Sequence, residues 1–410
     1  MSEWREVTLG DLCDRLTVGH VGKMADEYVD DGIEFLRSQN IKPFRIEREG
    51  VLRISPTFDS RLRKSRLSTG DVVVVRTGYP GTAAVVPVEL DGSNCADLVV
   101  ITPSKELNPH LLAAIFNSAW GRSAVSGQLV GSAQQHFNVG SARAMRVRLP
   151  SRKVQDGVAN VLCSFNDLIE NNRRRIEVLE HMAQAVYREW FVRFRYPGHE
   201  DATFVDSPLG PIPEGWRAVP LYEAADIGFG FSFKSNGFSE AGMNPVVRIR
   251  DVPGGVTKTF TDEPVADRYR IVDGDVLIGM DGDFHLSQWT GGVAWLNQRV
   301  ARLRACLGQS EKYLMLSIAE SICAWNVAIV GTTVAHLGKA HLEKILVLIP
   351  DRRLLEQTAR LFGWIAHEEC ALFQANRQLA AIRYMLLPKL VSGQIDVSTL
   401  DLDALLQPAS

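Results

Sequence analysis

The feature that most limits what this chain can fold into is a plan that occurs twice, each time ending in an unusually long helical run. Residues 151–195 follow the strand-like MRVRLP and contain no proline. Within them Val158, Val161, Phe165, Leu168, Ile176, Leu179, Ala183, Val186 and Trp190 recur at helical spacing, so they lie on one apolar stripe. Two hundred residues later ILVLIP introduces a second run, where Leu361, Ile365, Leu372, Leu379, Ile382 and Leu386 make the same kind of stripe. A helix of roughly 40 residues spans about 60 Å at 1.5 Å per residue. That is too long for an ordinary globular helix and suits a spacer or a coiled-coil partner. Two such helices in one chain can cover each other's stripes.

The segments ahead of the two helices echo each other in the same order. EWREVTLGDLCDRLTVGHVGK is matched by GWRAVPLYEAADIGFGFSFKS, FLRSQNI by VVRIRDV, and RLSTGDVVVVRTGYP by RIVDGDVLIGMDGDF. Residues 131–150 align without a gap onto 331–350, keeping Gly131/Gly331, His136/His336, Val147/Val347 and Pro150/Pro350. Strand candidates lie at 34–37, 72–76, 82–88 and 97–103, and 108–120 has helix period. The predicted fold class is mixed α+β. Two globular α/β domains, 1–150 and 214–350, are separated by two long antiparallel helices, 151–195 and 351–393, in a pseudo-two-fold internal repeat. The Pro- and Gly-rich stretch 196–213 reads as a linker, and 394–410 as a C-terminal tail.

Composition sets outer bounds. The 410 residues leave room for two or three domains, and 46% hydrophobic with 23% charged residues is the profile of a globular protein. MSEWREVTLG has neither the basic nor the apolar region of a signal peptide, and the longest apolar runs are strand-length, so a cytoplasmic chain with no membrane span is expected. Six cysteines, at 13, 95, 163, 306, 323 and 370, lie far apart with no C-x-x-C, which fits reduced thiols better than disulfides or zinc. Net charge is −3, so a nucleic-acid role requires locally concentrated positive charge.

A duplicated domain on a rigid spacer presents two similar surfaces at a fixed separation, and DNA half-sites recur every ~34–36 Å. Arg45, Arg48, Arg53, Arg61, Arg63, Lys64 and Arg66 crowd the middle of the first domain with only Glu47, Glu49 and Asp59 between them. As a cluster they favour phosphate contact; singly, each is equally a solvated surface residue. The turn from Arg76 to Gly81 joins two apolar strands. In it Arg76 is placed to take a guanine edge, with Thr77 beside it, and Tyr79 to stack on a base or sugar. The competing reading is a plain hairpin turn. Its counterpart carries Asp281, Asp283, Phe284 and His285, acidic where the first is basic, so the two domains would prefer different bases. Ser132, Gln134, Gln135 and His136 form a polar loop suited to adenine. Thr332, Thr333 and His336 form the matching loop, with either histidine equally able to act structurally inside its domain. Lys23, Gln39, Lys234 and Arg250 complete the candidate DNA contacts.

Catalytic signatures are missing: there is no phosphate loop, no H-E-x-x-H and no G-x-S-x-G. Gly228-Phe229-Gly230 lacks the rest of a dinucleotide fingerprint, and the nine histidines do not cluster with carboxylates at metal-ligand spacing. No catalytic residue and no metal site is predicted.

Several phrases carry a family likeness: LEHMAQAVYREWFVRFRYPGHE, PEGWRAVPL, GDVVVVRTGYPGTAAVV and LLPKLVSGQI. With the duplicated plan, they make the chain resemble the specificity subunit of type I restriction–modification systems over essentially its whole length. The resemblance implies two target-recognition domains, each reading half of a split, asymmetric DNA sequence, with the helices spanning the unread spacer. It also implies no active site and no cofactor in this chain. Its partners would be double-stranded DNA, two copies of a methyltransferase subunit carrying S-adenosylmethionine, and a restriction/translocase subunit. The surfaces expected to face the methyltransferase are Arg173, Arg174, Arg175, Tyr187, Trp190 and Phe191 on the first helix, and Tyr384, Leu387 and Lys389 on the second. Two other readings remain: an enzyme with fused recognition domains, and a coiled-coil scaffold binding other proteins.

One register follows from the residues themselves. Antiparallel packing about a pseudo-two-fold near 174/374 sets Asn172 against Asn376 and Ile176 against Leu372. A polar pair on an apolar seam fixes register at some cost in stability.

Overall fold

The computed structural model describes residues 4–24, 26–127, 137–328 and 336–397. The chain divides into two compact units: Met1–Ile169 with Gln378–Ser410, and Glu170–Arg377. The division passes through both long helices, so each unit holds a part of each rather than leaving 151–195 and 351–393 as segments apart.

Unit 1 is built on a four-stranded antiparallel sheet of β1 (Cys13–Val18), β2 (Val72–Val75), β3 (Ala83–Val85) and β4 (Leu98–Pro103), in the order β1-β4-β2-β3. The run VVVV in β2 shows no polar alternation because both of its faces are covered. Val72 and Val74 enter one core with Val99, Ile101 and the helix Pro109–Asn117. Val73 and Val75 enter another with Leu36, Leu90 and Val100. Asn108 caps the Pro109–Asn117 helix through its side chain, and Pro109 sits at the first helical position, where its missing N–H costs nothing.

Unit 2 repeats the layout. Its sheet runs β5-β8-β6-β7, from β5 (Ala225–Phe229), β6 (Val276–Gly279), β7 (Leu286–Gln288) and β8 (Val300–Ala305). Val276 and Ile278 face one core and Leu277 the other. The first strand of each repeat pairs with the last: Arg5–Thr8 with Arg146–Leu149, and Arg217–Pro220 with Leu346–Ile349, both antiparallel.

The long helices are α1 (Arg152–Tyr187, 36 residues) and α2 (Arg352–Val391, 40 residues). One π-helical stretch, Arg188–Val192, continues α1 until Phe194 adopts a left-handed conformation, φ 56°. Buried positions in α1 recur every seventh residue, at Gln155, Leu162, Ile169, Ile176 and Ala183. In α2 Thr358, Ile365 and Leu372 do the same. This is coiled-coil spacing. It corrects two stripe assignments, because stepping back by sevens from Ile176 reaches Ile169, leaving Leu168 48% exposed. Ile382 is likewise 40% exposed, while its neighbour Arg383 donates to Asn166.

In unit 2, Asn172 Nδ2 donates to Asn376 Oδ1 at 2.9 Å, both side chains half-buried. Ile176 and Leu372 are buried in the same core, and Arg175 lies 3.9 Å from Glu368. Partner numbers fall along α2 as they rise along α1, so these halves are antiparallel, in the register expected from the sequence.

The residues 196–213, expected as a linker, are ordered. Phe204–Val205 pairs with Ile212–Pro213, and Trp216, 4% exposed, packs among Phe191, Phe194 and Tyr196. Aromatic area, invisible to a periodicity search, holds this stretch.

Candidate nucleic-acid interface

Strand register gathers the candidate residues at one end of each central sheet. In unit 1 Val18 pairs with Val99 and Val75 with Leu98, so the chain leaves β1 and β2 and enters β4 at the same edge. The loops there carry Lys23, the 76–81 turn and Asp97. In unit 2 Gly279 pairs with Val300 and Phe229 with Ala301, bringing Lys234 and the 280–285 turn to the corresponding edge.

The unit 1 turn is clamped from inside. Arg76 Nη1 donates to Asp97 Oδ1 at 2.7 Å, Arg76 Nε to the Phe137 carbonyl at 3.0 Å, and Thr77 Oγ1 to Asp97 Oδ2 at 3.1 Å. The Arg76 side chain is only 12% exposed. This corrects the expectation that Arg76 and Thr77 reach a base: the pair secures the turn, because burial makes the guanidinium take every local acceptor it can. Gly78 and Gly81 sit at φ 81° and 89°, values that a side chain would resist. The result is a stiff turn that holds Tyr79 outward, 85% exposed.

Three members of the basic run are neutralised by carboxylates. Arg45 pairs with Glu47, Arg66 with Asp59, and Arg48 with Glu34 at 2.7 Å, while Arg53 donates to the Asp30 carbonyl at 3.2 Å. Arg61, Arg63 and Lys64 remain exposed on and just after the short helix Pro56–Arg61, whose N-cap is Ser55. Gln39 and Lys23 are also exposed.

In unit 2, Asp281 is engaged on both oxygens, 2.6 Å from His336 Nδ1 and 3.1 Å from Arg299 Nε. His336 thus holds the turn from within the unit, the structural one of its two readings. Phe284, expected among the DNA contacts, is 1% exposed and belongs to the core, with its backbone N–H donating to Asn326 Oδ1 at 2.7 Å. Its apolar bulk decides the matter, since turning it outward would forfeit burial worth about 2–3 kcal/mol. Asp283 is exposed and His285 half-buried. Lys234 is exposed, and so is Arg250, which donates to Thr259 Oγ1 at 3.1 Å. Ser132, Gln134, Gln135, His136, Thr332 and Thr333 lie outside the described residues.

The partner-facing candidates divide in the same way. Phe191 is 4% exposed, its ring 4.7 Å from Tyr313 and 5.5 Å from the stacked Tyr187. Trp190 packs against the same core, and Leu387 is 1% exposed in unit 1. Phe191 and Leu387 are therefore withdrawn as surface contacts. Tyr384 is 56% exposed, with Arg122 donating to its hydroxyl at 2.6 Å, and Lys389 is exposed. Arg173 and Arg174 each lie 3.6 Å from Glu170. Arg174 and Arg175 also border an open recess of about 360 Å³ with Val178, Leu179, Trp364 and Glu368. Val178 and Trp364 are 55% and 51% exposed there. Sequence reading missed Trp364, although a tryptophan one step off the stripe, beside Ile365, was the available signal.

Among the described residues, no group of three or more His, Cys, Asp or Glu side chains is arranged to hold a metal, and no helix is long and apolar enough to cross a membrane.

A scan against protein-family models returns no match. The chain is 28% identical over 193 residues to the type I restriction enzyme EcoBI specificity subunit of Escherichia coli, covering 45% of this chain and 40% of that one. It is 23% identical over 281 residues to the MjaIX specificity subunit of Methanocaldococcus jannaschii, covering 66% and 65%. With the HindI specificity subunit of Haemophilus influenzae it is 20% identical over 96% of this chain and 100% of that one. The stretches matched in the first two thus span less than two thirds of those relatives. In fold it is similar to the crystal structure of a type I restriction–modification S subunit from M. genitalium, with TM-score 0.56 and 14% identity over 95% of this chain and 96% of that one. In sequence the chain is thus similar to specificity subunits of type I restriction enzymes, and in fold to a type I restriction–modification S subunit.

Proposed function

We propose that this chain is the DNA-recognition subunit of a type I restriction–modification assembly and carries no active site of its own. Each unit reads one half of a split, asymmetric duplex target, while α1 and α2 serve as the spacer between the halves. One observation carries the reading: the same end of the same sheet occurs twice, with Tyr79 offered on one turn and Asp283 on the other. One fold with two different tips suits two different short words on one duplex. Two copies of a methyltransferase subunit holding S-adenosylmethionine dock on the helices, and a restriction/translocase subunit joins them in the cytoplasm. The recess around Val178 and Trp364, flanked by Arg174 and Arg175, supports a protein contact of this kind, because large apolar side chains half in water gain most from being covered.

Mapping of methylated bases across the host genome, with and without this chain, tests the proposal. Methylation at one split motif is expected to vanish with the chain. Unchanged methylation refutes a recognition role.

A further inference from the structure

The two units differ at their turns but share a set of residues next to them. Three residues of unit 1 each have a counterpart 211 residues further on: His20 and Phe231, Lys23 and Lys234, Arg37 and Arg248. Phe58 and Tyr269 are equally far apart but do not align within the repeated stretches; each supplies the ring that meets the first of these residues in its unit. The structural roles match as well. His20 bridges to Ala96, and Phe231 to Asn297, both parallel and both outside the main strands. The rings of His20 and Phe58 are 5.5 Å apart, and those of Phe231 and Tyr269 are 5.3 Å apart. Arg37 and Arg248 each open a short 3-10 turn, with the backbone N–H donating to the side chain three residues on, at 3.0 Å to Asn40 and 2.9 Å to Asp251. The glycines that lead into both loops are fixed by close backbone approach. A Cβ at Gly19 would lie 2.7 Å from the Cys95 carbonyl oxygen, and one at Gly230 would lie 2.0 Å from that of Asn297.

Unit 2 extends this set into a continuous string. Arg248 lies over Phe238 at 5.5 Å, Phe238 is 6.2 Å from Phe233, and Phe233 is 5.0 Å from Phe231. Tyr269 follows, with Arg268 over its ring at 4.7 Å. A guanidinium held over a ring face keeps its charge while losing much of its freedom. Lys23 and Lys234 are exposed. The Lys234 backbone N–H donates to Glu263 Oε2 at 3.2 Å, while its ammonium and that of Lys23 form no ion pair among the described residues.

A duplex offers a protein two kinds of surface. Base edges differ between the halves of an asymmetric target, whereas the sugar–phosphate backbone is the same in both. Elements that differ between the units, Tyr79 against Asp283, suit the part that differs. Elements that repeat suit the part that repeats. We propose that Lys23 and Lys234, each three residues beyond the first ring of its pair, act with those rings and with Arg37 or Arg248 as two copies of one backbone clamp. In this clamp the lysine neutralises a phosphate and the rings pack on deoxyribose. The assignment deepens the DNA reading above and rests on it.

The test uses the full chain assembled with its host's methyltransferase, titrated across ~50–300 mM KCl, a range over which counterion release is measurable. The probes are a duplex carrying the mapped motif and a scrambled duplex of equal composition. For Lys23→Ala with Lys234→Ala, the slope of log affinity against log salt is expected to fall by about 0.9 per lost contact, hence by about 1.8, on both probes. Lys→Arg at both positions restores the slope, and the methylated motif stays unchanged. An unchanged slope with wild-type binding intact overturns the clamp alone, as does a changed motif. A wild-type assembly that binds neither duplex overturns the DNA reading and the clamp together.

Discussion

At the scale of single residues, the ionic core of unit 2 is the sharpest test of packing. Lys312 Nζ lies 2.9 and 2.7 Å from the two oxygens of Glu369, both side chains at most 5% exposed. Burial pushes the Glu369 carboxyl above its ordinary range, Lys312 opposes that shift, and the charge of Glu180 adds to it. Removing one partner strands the other charge, so Lys312→Met is expected to cost about 3–5 kcal/mol. Lys312→Met with Glu369→Leu is expected to cost far less, because no buried charge remains. The sign of the pH effect follows from the raised carboxyl. The folded state binds that proton more tightly than the unfolded chain, so the penalty grows as pH rises from the unfolded value through the folded one. The Lys312→Met variant should therefore recover stability on acidification over that window. Denaturant midpoints for both variants across pH decide the matter, and an equal loss in single and double variants would refute the argument.

At the scale of elements, the paired asparagines explain how two long stripes find one register. A seam of leucine, isoleucine and alanine tolerates sliding by a heptad, since each apolar layer resembles the next. The bond between Asn172 and Asn376 breaks that equivalence, because sliding would bury two amides unsatisfied. Replacing both by leucine is expected to raise the thermal midpoint while loosening register. Paired spin labels on α1 and α2 within unit 2 would then report a broadened distance distribution. A lower midpoint with unchanged distances would instead make the pair a plain stabiliser. The stripes and the asparagine register were legible in the sequence because helical periodicity is a local property. The loss of Leu168 and Ile382 from the seam was not legible, since a period of 3.5 and one of 3.6 diverge only over several turns.

At the scale of the whole molecule, duplication with divergence assigns separate tasks to the two halves. Exchanging Asp283 for tyrosine leaves the unit 2 clamp of Asp281, His336 and Arg299 in place and changes only the exposed tip. It is expected to alter one half of the methylated motif and leave the other half as it was. Motif mapping in cells carrying the variant checks this, and a change in both halves would rule out one unit reading one half.

The sequence alone determined the doubled plan, the places of the buried strands and the two helices with their register. These depend on residue order and on periods of 2 and about 3.5, which are written locally. Tertiary structure alone decided which charges are free. Arg48 meets Glu34, Arg76 meets Asp97, Lys312 meets Glu369, and Phe191 turns inward to Tyr313. It also divided each long helix between two units. Ion pairing and burial belong to groups that folding brings together from distant positions, so the order of residues does not display them.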